Sequence, residues 1–191
     1  MIKKLFIILI AAMMLTSCSD STKTTKQKNE QSTEASSSET SKTAIKKVLE
    51  QLFTGPDKKL IDLMWNPKYR TVVNNKEENP TFDKYVAEVY GPYMTDSYLD
   101  PFVSTILSQY SNFAYDNGYK LSLKKISIKQ SDNDSARYTF IAEVGYQKNK
   151  DEEKTANVEG KVYFYPKEKG KISVIKIIND NGLLDKLRTK N

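Results

Sequence analysis

The chain has 191 residues, 28% of them charged, with a formal net charge of +6, a single cysteine and no histidine. Without an imidazole there is no Ser-His-Asp or Cys-His nucleophile, no HExxH zinc site and no imidazole acid or base; a lone cysteine also rules out an intramolecular disulfide. The positive excess is modest and mixed with acids. No single strand or helix carries a Lys/Arg block with interleaved aromatics, so nucleic acid is not an expected partner.

Lys3 and Lys4 precede an apolar run from Leu5 to Leu15, which Thr16 and Ser17 close off. A basic start, a short apolar core and small residues at its end are the parts of an export signal. The run is too short for an uncleaved anchor, because spanning a bilayer takes roughly 20 apolar residues. Leu15-Thr16-Ser17-Cys18 resembles the lipobox of bacterial lipoproteins. The resemblance implies cleavage between Ser17 and Cys18 and acylation of Cys18. Residues 1–17 are then a signal peptide, and the mature chain is held by its lipid at the extracytoplasmic face of the cell membrane. Their removal takes away two lysines and no acid, leaving a net charge of +4.

Residues 18–42 join the lipidated cysteine to a Ser/Thr-rich stretch in which Ala35 is the only apolar side chain after Cys18. Such a segment buries too little to offset its ordering entropy and is expected to be a disordered tether. Residues 43–191 are long enough for one domain with its own core. Thr43 is a candidate cap for a helix with Ala44, Ile45, Val48, Leu49, Leu52 and Phe53 on one side. Gly55-Pro56-Asp57 breaks it, and Leu60, Ile61, Leu63, Met64 and Trp65 mark a short second helix that Asn66-Pro67 ends. A polar connection containing Asn74-Asn75 leads to a third helical region, Phe82–Tyr90 and Tyr98–Tyr115, interrupted at Gly91-Pro92 and closed at Asn117-Gly118.

From residue 119 the period becomes that of strands. Leu121 and Leu123 alternate, then Ile126 and Ile128, and the parity change across Lys124-Lys125 predicts a β-bulge. After the Asp132-Asn133-Asp134 turn, Tyr138, Phe140, Ala142, Val144 and Tyr146 share one face of a long strand, and Arg137, Thr139 and Glu143 the other. Val158, Gly160, Val162 and Phe164 mark a third strand, and Ile172 to Ile178 a fourth. The short connections predict an antiparallel meander, and Leu183, Leu184 and Leu187 a final helical turn. The expected class is α+β, with N-terminal helices packed on a curved four-stranded antiparallel sheet.

The helical segment AIKKVLEQLFTGPDKKLIDLMW at 44–65 and the strand meander at 119–180 together resemble the NTF2-like, or cystatin-like, cone fold. That fold hosts enzymes, trafficking factors and accessory domains alike, so it names no function. An isomerase-like member needs a carboxylate projecting into the cone, whereas the inward positions assigned here carry no charge. Asp62, Asp96, Asp100, Glu143 and Glu159 read as solvated or capping groups. The expectation is a domain that is not an enzyme and needs no cofactor or metal, serving as an interaction or accessory module with an envelope protein as partner. The alternative is a small-molecule binding lipoprotein whose cone cavity is lined by Trp65, Tyr90, Tyr93, Tyr138 and Phe140.

Overall fold

The computed structural model describes the backbone of residues 21–189 and the side chains of residues 37–189. The signal segment, Ser17 and Cys18 lie outside the described residues. Contacts divide the chain into residues 1–34 and a second unit, Ala35–Asn191. In the first, residues 21–34 are helical; the second holds a four-stranded antiparallel sheet and several helices.

Helix α1 spans Ser21–Leu52, so the helix expected from Thr43 begins earlier. No glycine or proline interrupts residues 19–54, and nothing in the local backbone forces a stop. Packing also starts ahead of Thr43: the Ser38 hydroxyl donates to Gln130 Oε1 at 3.0 Å, and Ser41 is buried. The last residues of the stretch read as a tether, 18–42, therefore belong to the packed unit. Beyond them Ile45, Val48, Leu49 and Phe53 are fully buried, which is the apolar face the spacing predicts.

Helix α2 (Lys58–Trp65) is capped by Asp57, whose Oδ1 accepts from the Lys59 and Leu60 amides at 2.9 and 3.1 Å. A cap of this kind contributes about 1 kcal/mol. A single 3-10 turn, Pro67–Tyr69, follows. The polar connection then contains a hairpin, β1 (Thr71–Val73) and β2 (Lys76–Glu78), which the sequence reading does not predict. Asn74 and Asn75 at its tip have φ of 51° and 61°. Two successive left-handed residues are what a two-residue hairpin turn requires, and asparagine tolerates them.

Helix α3 (Pro80–Val89), helix α4 (Asp96–Phe102), a π turn (Val103–Leu107) and helix α5 (Ser108–Asp116) make up the third helical region, broken at Gly91-Pro92 as expected. The π turn follows Pro101, whose ring cannot donate an amide to the ladder. Ser104 and Thr105 hydroxyls bond back to the Asp100 and Pro101 carbonyls at 2.9 and 2.5 Å.

The sheet comprises β3 (Tyr119–Ser131), β4 (Asp134–Lys148), β5 (Lys154–Phe164) and β6 (Ile172–Asn179), in that order and antiparallel throughout. Its register shifts between Leu123 and Lys125, where the parity change predicts a bulge. Two loops touch the outer strands. Gly55 exchanges backbone hydrogen bonds with Leu121 on β3 at 3.1 and 2.7 Å, and the Ile172 amide on β6 donates to the Tyr93 carbonyl at 2.8 Å. Helix α6 (Leu183–Arg188) closes the described chain. One core unites α1 and α2, the third helical region, the inner sheet face and α6, with Phe53, Phe102, Tyr138 and Phe140 among its largest side chains.

Candidate functional site

On the inner face of β4, Tyr138 and Phe140 are each 1% exposed, and Ala142 and Val144 are fully buried. Tyr138 meets Phe164 edge-on at 5.3 Å. Phe140 lies against Gly160, where no Cβ intervenes. Of the other three aromatics of the expected pocket, Tyr90 is buried in the same core, Tyr93 packs against it half-buried, and Trp65 lies at the surface. Tyr90 packs on Phe102 with centroids 5.2 Å apart. Trp65 is 56% exposed and donates its indole N–H to Asn112 Oδ1 at 3.1 Å. Tyr93 lines a groove of about 460 Å³ between α1, Pro92 and the Lys169-Gly170 turn. The five residues are thus divided between core, surface and groove rim. A second groove, of about 520 Å³, lies between α1 and β3, with Leu123, Ile126 and Ile128 beside Lys42, Lys46 and Glu50.

The carboxylates are held in local roles. Asp62 accepts from Asn66 Nδ2 at 2.9 Å and from the Tyr69 hydroxyl at 3.0 Å, and these bonds hold its carboxyl below the usual range. Asp57 accepts the Tyr85 hydroxyl at 2.5 Å as well as capping α2. Burial, with Asp57 as the bonded acceptor, pushes the Tyr85 phenol up to about 12. Asp180 Oδ2 accepts both the Tyr110 hydroxyl at 2.9 Å and the Leu184 amide at 3.0 Å, joining α5 to the start of α6. Burial first, then Asp180, raises Tyr110. Asp83, in the first turn of α3, is raised by burial and then by Asp100 and Glu78. Glu159 is exposed and Glu143 half-buried on the outer sheet face. Among the described residues no group of three His, Cys, Asp or Glu is placed to hold a metal ion.

Sequence reasoning missed one arrangement on that outer face. Lys129 pairs with Thr139, Thr139 with Lys161, and Lys161 with Lys176, so one transverse row across the sheet carries three exposed lysines. In the next row Arg137 pairs with Tyr163, and the Tyr163 ring lies 5.5 Å from the Arg137 guanidinium and 5.9 Å from Lys176 Nζ. No strand shows this cluster alone. Only the register assembles it. No protein-family model matches the chain, and neither a curated protein nor a solved structure matches it.

Proposed function

We propose that the protein is a lipid-anchored, extracytoplasmic lipoprotein whose domain acts as a non-catalytic interaction or accessory module for another envelope protein. The Leu15-Thr16-Ser17-Cys18 segment supports the anchor, with acylated Cys18 as the new N-terminus. For the domain, the carrying observation is the filled inner sheet face. Tyr138, Phe140, Ala142, Val144, Val158 and Val162 are packed into the core, so contacts with a partner fall to the surface. The order of elements, helices first and then an antiparallel meander, is the order expected of an NTF2-like cone. In this proposal the cone is closed by its own side chains.

Two experiments test this. Metabolic labelling with a fatty acid should tag the wild-type chain and not Cys18→Ala, which should accumulate unprocessed or be released; persistent labelling of the variant overturns the anchor. A photo-cross-linking residue placed at Lys46 or Tyr93, at the rims of the two grooves, should yield a protein adduct of discrete mass in living cells. Absence of adducts from both rims, together with a small molecule retained in native mass spectra of the full chain, would instead favour a ligand-binding lipoprotein using the Tyr93 groove.

A further inference from the structure

We propose that the outer face of the sheet is a docking surface for an anionic phospholipid bilayer. Lys161 and Lys176 face each other directly across β5 and β6, and like charges so placed destabilise a sheet. Neither forms an ion pair among the described residues, while Lys129 and Arg137 have only exposed partners, Asp132 and Asp134, each at 3.4 Å. Adjacent strands are about 4.8 Å apart, so the row sets cationic side chains at one and two strand spacings. An external layer of anions would turn this internal repulsion into attraction.

Apolar neighbours distinguish a bilayer from a hydrated polyanion. Ile141, one row from Lys129 and Lys161, is 48% exposed, and Ile178, two residues beyond Lys176, is 58% exposed. Tyr163 stands between the cations of Arg137 and Lys176. Exposed isoleucines and a tyrosine gain by entering the headgroup boundary while lysines meet lipid phosphates. A soluble polyphosphate offers the phosphates without the apolar phase. The inference stands on the sheet face, independent of acylation at Cys18; the anchor would only set how near the bilayer this face works.

The test uses the mature chain, residues 18–191 with Cys18→Ser, so that neither the apolar Leu5–Leu15 segment nor an acyl group contributes, and vesicles of equal parts phosphatidylcholine and phosphatidylglycerol. Each lysine near such a surface contributes about fivefold, so K129Q/K161Q/K176Q should weaken partitioning by about a hundredfold. Neutralising three exposed lysines on helices, K58Q/K84Q/K186Q, should change it less than about threefold. Ile141→Ser should weaken it several-fold while leaving binding of soluble polyphosphate unchanged. Thermal melts confirm that each variant is folded. Equal losses from both lysine triples, no loss from the row triple, or no effect of Ile141→Ser on vesicle binding would each overturn the proposal. Fatty-acid labelling of the wild-type chain reads the anchor separately, so either idea can fail without the other.

Discussion

Gly160 sits opposite Phe140 on β5, and a Cβ added there would run into the Phe140 ring and lie 2.6 Å from the Lys176 carbonyl oxygen. The pairing explains why an apolar strand face tolerates a glycine: the aromatic ring fills the space. Gly160→Ala should therefore destabilise the domain by about 1 to 3 kcal/mol through overpacking, read as a lower urea midpoint. Phe140→Ala empties the same site and should cost about 3 to 5 kcal/mol, out of a total of about 5 to 15 kcal/mol. Glu143→Gln and Glu159→Gln, on the outer face, should stay within about 0.5 kcal/mol of wild type. A destabilised Glu143→Gln beside a tolerated Phe140→Ala would reverse the assignment of faces. Tyrosines supply a pH dependence. The Tyr85 phenol is held at about 12, and burial raises Tyr90 and Tyr110 as well. Between the unfolded phenol value near 10 and these raised values, the folded chain keeps protons that the unfolded chain has lost. The stability these tyrosines contribute is therefore fully present below about pH 10 and falls as pH rises toward 12. Urea titrations across that range should show the decline, with a shallower slope for Tyr85→Phe.

At the scale of elements, much of the second unit is legible from periodicity and punctuation. The bulge at Lys124 follows from the parity change between Leu123 and Ile126, and the buried face of β4 follows from alternation at Tyr138, Phe140, Ala142 and Val144. Two elements escape. The β1–β2 hairpin has exposed residues at every strand position, so no apolar alternation betrays it; its signal is the Asn74-Asn75 pair. The start of α1 escapes because Ser, Thr, Lys and Glu without glycine or proline are compatible with both helix and coil. Asp57 shows how a cap can hold more than its own helix, since it accepts Tyr85 from α3 as well as two α2 amides. Asp57→Ala should cost more than the roughly 1 kcal/mol of an ordinary cap. A double-mutant cycle with Tyr85→Phe should show coupling of at least about 0.5 kcal/mol.

For the molecule as a whole, what the sequence withholds is adjacency across long separations. Tyr110 and Asp180, 70 positions apart, meet in one hydrogen bond. The lysine row takes one residue from each of β3, β5 and β6, and no window along the chain contains it. Trp65, Tyr90, Tyr93, Tyr138 and Phe140 fall in different surroundings for a related reason. Amphipathic tyrosines at similar spacing serve equally well on a core face, as Tyr90 does, or at a groove rim, as Tyr93 does.

The loops that touch the outer strands bear on how copies of this domain coexist. A strand with unpaired backbone donors and acceptors is a template for another chain to polymerise on. Here Gly55 occupies such positions at Leu121, and the Tyr93–Thr95 segment does so at Ile172, leaving each border of the sheet interrupted near one end. Strand addition by a neighbouring copy would first have to evict a covalently attached competitor whose local concentration never falls. At high concentration, where collisions between copies are frequent, such a domain resists growing into fibrils.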